Sequence, residues 1–180
     1  ESEGLKDGSD FGLDQIISDC LLLLDGGAET TRTVIARSML HLANSPTQWE
    51  LLKKGSDLEI AVEEFIRYVT PIHNMCRVAT EDYFIHDKTI RKGDQVVLMY
   101  SSANRDSEKF NNPELLDVTR DPNHHIAFGF GTHFCLGASL ARLEIKLFYE
   151  QLINRVKSFA LAGNPVEMPN AFVYGLASCP

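Results

Sequence analysis

The chain has 180 residues, room for about one domain, with 25 acidic against 17 basic side chains, a formal charge of −8 and 44% hydrophobic residues. This composition supplies a sizeable core and excludes disordered, collagenous and polybasic classes. The Lys and Arg residues are scattered and form no basic stripe, so nucleic acid is excluded as a partner.

The chain opens on Glu1 rather than Met, in an acidic, Gly-containing stretch, and reads as a piece of something longer in which a preceding signal or anchor is not legible. The first element is a long helix. Leu13, Ile16, Ile17, Cys20, Leu21, Leu24, Ala28, Thr31, Ile35, Met39 and Leu42 recur at the three- and four-residue steps of one helix face, which predicts a helix running to Asn44. Its most apolar run, Cys20 to Leu24, stops at Asp25, far short of the ~20 residues that span a bilayer. Gly26 and Gly27 at its centre each cost about 1 kcal/mol against Ala. With Thr30 and Thr31 able to bond back to the preceding turn, they predict a local distortion or groove.

Ser45, Pro46 and Gln48 predict a second helix opened by a capping box and ended by Gly55, and Ser56 with Glu59 predicts another box at the start of a third. That third helix carries Leu58, Ala61, Val62, Phe65 and Val69 on one side and Ile60, Glu64 and Arg67 on the other, and ends before Pro71. Glu64 and Arg67, three residues apart, are neighbours able to pair. From Met75 to Tyr100 the period shortens to strand-like runs, Cys76 to Ala79, Tyr83 to Ile85 and Val96 to Tyr100, separated by turn signals. These predict a small β-meander, so the fold class is mainly α with a small β unit.

A loop from Thr119 to Phe134 with Pro122, Gly129 and Gly131 is longer than a compact domain leaves without a job. A last amphipathic helix follows Gly137, with Ala141, Ile145, Phe148 and Leu152 on one side and Arg142, Lys146 and Glu150 away from them. Phe172 to Leu176 is expected to form a terminal strand. The four cysteines, Cys20, Cys76, Cys135 and Cys179, are far apart and lack the density of a disulfide scaffold, which points to a reducing compartment. One of them has unusual surroundings. Cys135 lies between the Gly-rich loop and the helix head, where unpaired N–H groups and the helix dipole favour thiolate. Gly129, Gly131 and Gly137 let backbone approach a bulky group closely, and Phe128, Phe130 and Phe134 offer a low-dielectric wall around the sulfur. Such a thiolate suits a soft metal centre or an electrophile.

The run Phe128-Gly129-Phe130-Gly131-Thr132-His133-Phe134-Cys135-Leu136-Gly137 resembles the haem-binding loop of the cytochromes P450. Two further signatures stand in that family's order: Gly26-Gly27-Ala28-Glu29-Thr30-Thr31 in the long helix, and Glu64-x-x-Arg67. The resemblance covers nearly all of residues 1–180 and implies the C-terminal half of a single cytochrome P450 domain. It implies that Cys135 is the axial thiolate on the iron of haem b (iron protoporphyrin IX), donating electron density that favours cleavage of the O–O bond of the co-substrate O2. It makes His133 and Arg77 donors to the haem propionates and Glu29 and Thr30 an acid–alcohol pair that delivers protons. Asp25 departs from the family, which usually has an apolar side chain at that position. Glu64, Arg67 and Arg120 become a structural ion-pair group.

Gly27-Ala28-Glu29-Thr30-Thr31-Arg32, Asn74-Met75-Cys76-Arg77 and Asn170-Ala171-Phe172-Val173-Tyr174-Gly175-Leu176 are similar to actinobacterial members that hydroxylate the terminal methyl of sterol side chains. Leu23, Gly26, Gly27, Ile72, His73, Asn74 and Val173 are then the candidate pocket lining for an apolar substrate of sterol or fatty type. The implied reaction is insertion of one oxygen atom from O2 into a C–H bond in the cytoplasm, fed by a ferredoxin and its NAD(P)H-dependent reductase, with no membrane segment in this portion. Two other readings stay open: a thiol hydrolase pairing Cys135 with His133 or His125, and an inactive fragment serving as an interaction module.

Overall fold

The computed structural model describes residues 12–180. The long helix α1 runs over Leu13–Ala43 without interruption. At 1.5 Å per residue it is about 46 Å long. The distortion expected at Gly26 and Gly27 does not break it. Thr30 Oγ1 does donate back to the Gly26 carbonyl at 2.7 Å, but this bond runs parallel to the helix axis and is absorbed without loss of the α ladder. Burial along α1 begins at Thr31, and Leu21 to Leu24 are exposed.

Helix α2 spans Pro46–Lys53 and α3 spans Leu58–Val69. Both capping boxes are corrected by the structure. Ser45 is the N-cap of α2 but makes no side-chain cap bond; the Gln48 N–H donates to the Ser45 carbonyl at 2.9 Å, and the Gln48 side chain accepts from the Val118 N–H at 2.9 Å. The cap of α3 is Asp57, whose carboxylate accepts from the Glu59 N–H at 2.8 Å, while the Ser56 hydroxyl donates to the Leu51 carbonyl. Helix α3 stops at Thr70, which sits in the left-handed region at φ 43°. Pro71 beyond it disfavours a helical conformation there and has no N–H to continue the ladder.

The small antiparallel β unit follows, and its pairing is nested. Strands β1 (Asn74–Val78) and β4 (Gln95–Met99) pair with each other, with Asn74 opposite Met99 and Arg77 opposite Val96. Between them β2 (Tyr83–Ile85) pairs with β3 (Lys88–Ile90) across a turn that holds His86 at φ 50°. The short helix α4 (Tyr100–Ala103) leads into an irregular stretch, and the Gly-rich loop ends in a 3-10 turn at Gly131–His133. Helix α5 covers Ala138–Arg155. Two short strands, β5 (Val166–Glu167) and β6 (Leu176–Ser178), close the chain. The terminal strand therefore starts at Leu176 rather than Phe172. Residues 171–174 cross 71–74 instead, through an isolated Ile72–Val173 bridge and a His73 N–H donated to the Phe172 carbonyl.

The core lies between the second half of α1, α2, α3 and α5. Val34, Leu42, Trp49, Leu52, Phe65, Ile66, Ile145 and Tyr149 meet there, with Phe65 and Tyr149 stacked at 4.5 Å between ring centroids. The buried line of α5 is Ala138, Ile145 and Tyr149, whereas Ala141, Phe148 and Leu152 are half-buried. Tyr149 is tolerated in this core because its hydroxyl has a partner, the Ser38 hydroxyl at 2.6 Å.

A fully buried carboxylate sits on the far side of α3. Glu64 accepts from Arg67 Nε at 2.7 Å and Nη2 at 2.9 Å, from Arg120 Nε at 3.0 Å, from the Asp117 N–H at 2.9 Å and from Asn123 Nδ2 at 3.1 Å. Arg67 spends its remaining donors on the carbonyls of Asn104, Pro113 and Leu115. Asn104, itself buried, donates to Thr70 Oγ1 and accepts from the Ile126 N–H. Removing this carboxylate leaves two guanidiniums uncompensated in a low-dielectric setting. Glu64→Ala in the full-length protein is expected to lower the unfolding free energy by roughly 3–5 kcal/mol, read from the urea midpoint. A midpoint unchanged from wild type would mean the two arginines do not depend on it.

Candidate functional site

The Gly-rich loop delivers Cys135 to the head of α5. Gly129 and Gly131 take φ of 72° and 74°, conformations that cost any residue with a Cβ about 1–2 kcal/mol. The Gly129 N–H donates to the Ile126 carbonyl at 2.9 Å, and the Phe134 N–H to the Gly131 carbonyl at 3.0 Å. The Cys135 N–H then reaches back to the Phe128 carbonyl at 2.9 Å and closes the loop. Cys135 is a free, exposed cysteine two residues before the N-cap Gly137. A Cβ on Gly131 or Gly137 would meet no protein atom within 4 Å, so the loop backbone borders open space there.

The aromatic wall expected around the sulfur is incomplete. Phe128 and Phe134 face each other at 6.1 Å between centroids. Phe130 is 89% exposed and Leu136 is 90% exposed. His133 is exposed in the 3-10 turn. Arg77 is half-buried on β1, where its Nη1 donates to the Cys76 carbonyl at 2.9 Å.

On α1, Glu29 and Thr30 are half-buried. The Glu29 carboxylate is held by Arg32 Nη2, at 2.6 Å to each oxygen. Arg32 is exposed and Glu29 half-buried; solvent-accessible pairs contribute about 0–1 kcal/mol, so the carboxylate leaves Arg32 at little cost. The C-terminal segment packs close by: a Cβ on Gly175 would come within 3.2 Å of Glu29 Oε1. Among the candidate pocket residues, the crossing of 71–74 with 171–174 brings Ile72, His73, Asn74 and Val173 together, and Asn74 Nδ2 donates to the Ala171 carbonyl at 3.0 Å. Burial, with the charges of Arg37 and Arg105 behind it, holds the His73 imidazole below its ordinary value. Leu23 is 63% exposed, and a Cβ on Gly26 or Gly27 would meet nothing within 4 Å, so these three stand on the open stretch of α1.

Several polar residues take positions that the sequence reading missed. Arg37, 1% exposed, donates to the Tyr174 and Gly175 carbonyls and to Glu167, and so fastens the C-terminal segment to α1. Its signal was its place one turn from Val34 and His41 on a buried face. Glu63, beside Glu64, turns the other way. It accepts from Arg142 Nε at 2.5 Å and Nη2 at 2.9 Å, and Oε2 lies 3.0 Å from His125 Nε2. The Ala127 N–H donates to His125 Nδ1, which places the ring proton on Nε2, directed at Glu63. Neither ring nitrogen of His125 is then free to take a proton from Cys135.

Arg142 also lies over the Phe128 ring, 4.5 Å from its centroid. The hydrogen bond to Glu63, opposed by burial and assisted by the charges of Glu63 and Cys135, raises its pKa. Lys146 pairs with Glu59 at 2.7 Å, so the polar side of α5 bridges to α3. For Glu63, burial alone would raise the carboxyl, but the hydrogen bonds from His125 and Arg142 and the charge of Arg142 outweigh it and hold the pKa at about 2 against an ordinary 4.5. A depressed carboxyl contributes stability that is full above the unfolded value and lost as pH falls through the folded one. The stability advantage of wild type over Glu63→Gln is therefore expected to be constant above about pH 4.5 and to shrink toward pH 2, as urea titrations across that range will read. An advantage independent of pH would contradict the pairing.

Among the described residues no group of three or more His, Cys, Asp or Glu side chains could hold a metal ion. No helix of the described residues is long and apolar enough to cross a membrane.

Comparison with known proteins gives a consistent answer. The sequence profile of the cytochrome P450 family matches residues 47–177. A steroid C26-monooxygenase of Mycobacterium tuberculosis is 42% identical over 178 residues, which are 97% of this chain and 48% of that protein. The biotin biosynthesis cytochrome P450 of Bacillus subtilis is 45% identical over 150 residues, 83% of this chain and 38% of that protein. Among solved structures, CYP109E1 from Bacillus megaterium in complex with corticosterone superimposes with a TM-score of 0.87 at 35% identity, covering 97% of this chain and 48% of that one. The chain thus spans less than half the length of these relatives.

Proposed function

This chain belongs to the cytochrome P450 family, and from that membership we propose that the protein is a haem-thiolate monooxygenase acting on an apolar substrate of steroid or fatty type. The observation that carries the reading is the free, exposed Cys135 at the end of a loop whose glycines hold positive φ and border open space. These features fit haem b. A flat macrocycle needs a close backbone approach, an apolar border and one accessible soft donor, and Phe130 and Leu136 supply uncovered apolar surface on either side of the sulfur. When bound, the haem supplies O2 binding and activation for insertion of one oxygen atom into a C–H bond.

The chain's own residues divide the remaining work. Cys135 holds the iron as thiolate, favoured by the N–H groups at the head of α5. His133 and Arg77 are the donors to the propionates. On α1, the Thr30 hydroxyl proton is committed to the Gly26 carbonyl, so Thr30 Oγ1 offers lone pairs to a proton-carrying water. Glu29, released from Arg32, is the carboxyl group that reloads that water. Gly26 and Gly27 keep the adjoining helix face free of side chains, and Ile72, His73, Asn74 and Val173 border the substrate with Leu23 opposite. Sterol-type substrates suit the relatives named steroid C26-monooxygenases. A ferredoxin with its NAD(P)H-dependent reductase, in the cytoplasm, supplies the electrons.

With the full-length protein reduced under carbon monoxide, a strongly red-shifted Soret band is expected, and Cys135→Ser should abolish it. A colourless protein expressed with ample haem supply would refute the reading. Thr30→Ala should keep the band and lower product formed per O2 consumed severalfold, and Glu29→Gln should slow turnover by roughly 10²-fold. Unchanged coupling in Thr30→Ala would remove it from proton delivery.

A further inference from the structure

We infer that Glu63 is a positioning residue for the Cys135 loop: one carboxylate that clamps both ends of the loop, through His125 before it and Arg142 after it, and offsets the guanidinium charge held over the loop's Phe128. The inference deepens the haem-thiolate reading and rests on it.

The geometry is that of a closed ring. His125 enters the loop and is 3% exposed, with one nitrogen on Glu63 and the other accepting from the Ala127 N–H, so its ring cannot turn without breaking two bonds. Arg142 stands on α5 seven residues past Cys135 and grips the same carboxylate through a two-point fork. Between these two anchors Phe128 lies under the guanidinium and 5.9 Å from the His125 ring, and its carbonyl holds the Cys135 N–H. A shift of α3 is thus passed through Glu63 to both sides of the loop. Neighbouring Glu64 is buried in a separate arginine group, so the two acids join adjacent faces of α3 to different parts of the chain. Partners of this kind around a metal ligand typically matter by about 10–100-fold in affinity.

The clamp also sets a charge. The Arg142 guanidinium lies 4.5 Å from the centroid of the Phe128 ring, and the Phe128 carbonyl holds the Cys135 N–H; Glu63 offsets that positive charge. Reduction of the bound iron adds one electron beside the sulfur, which a nearby cation favours and a nearby anion opposes.

The test uses full-length, haem-loaded protein, with reduction potential and persistence of the reduced carbon monoxide band as readouts. Glu63→Gln should shift the potential positive and Arg142→Gln should shift it negative, with the double variant close to wild type. Both single variants should lose the red-shifted band about tenfold faster or more. Opposite signs are something that general loosening of the fold does not produce. Arg142→Lys keeps the charge and loses the fork, so it should hold the potential and still shorten the band's life; this variant carries the test if Glu63→Gln fails to fold. Shifts of the same sign, or a potential and band lifetime unchanged in both single variants, overturn the clamp while leaving the haem-thiolate reading intact. A wild type without the red-shifted band overturns both.

Discussion

The fold around the candidate site depends on a carboxylate taken out of water. Glu64 is fully buried and receives five donors from four residues besides itself: two from Arg67 and one each from Arg120, Asp117 and Asn123. Burying a charge costs several kcal/mol unless partners surround it. Here the partners are drawn from α3 and from the irregular stretch at 104–123, which besides Phe110, Leu116 and Val118 is largely polar. The arginines order that stretch by gripping its carbonyls, at Asn104, Pro113 and Leu115 through Arg67 and at Asn111 and Asn112 through Arg120. Asn104 extends the same network to Ile126, at the threshold of the Gly-rich loop.

Two adjacent acids on α3 therefore do different jobs. Glu64 organises the coil that leads to the loop, and Glu63 meets the loop's first residues and the helix beyond it. A helix places neighbouring residues about 100° apart, so consecutive glutamates look toward different surroundings. The result is a loop whose Ala127 and Phe128 pack against the core while Phe130 and Leu136 are left uncovered, with ionic contacts on either side of it at His125 and Arg142. Open apolar surface beside a free thiol is what a bound macrocycle would cover.

Much of this was legible in the residues. The apolar period of α1 located a helix whose observed limits differ by about one residue from those expected, and the i,i+3 spacing of Glu64 and Arg67 identified neighbours on the face opposite Phe65. The three signatures named the family. Local rules failed where two candidates compete. Ser56 and Asp57 are comparable caps one residue apart, and Ser56 was drawn to the Leu51 carbonyl instead. Gln48 was drawn from its cap position by an unpaired N–H seventy residues away. Strand β3, Lys88–Ile90, is too short and polar for its period to show, and it exists because β2 folds back on it.

The sequence by itself determined the helical periods and the placing of a cysteine at the head of a helix, since these follow from the spacing of neighbours along the chain. Only the tertiary structure decided where the polar side chains of Arg37, Asn104, His125 and Arg142 ended. Each found its partner 22 to 138 residues away, and a buried polar group is satisfied by whichever donor or acceptor the packing brings near it, which no local pattern encodes.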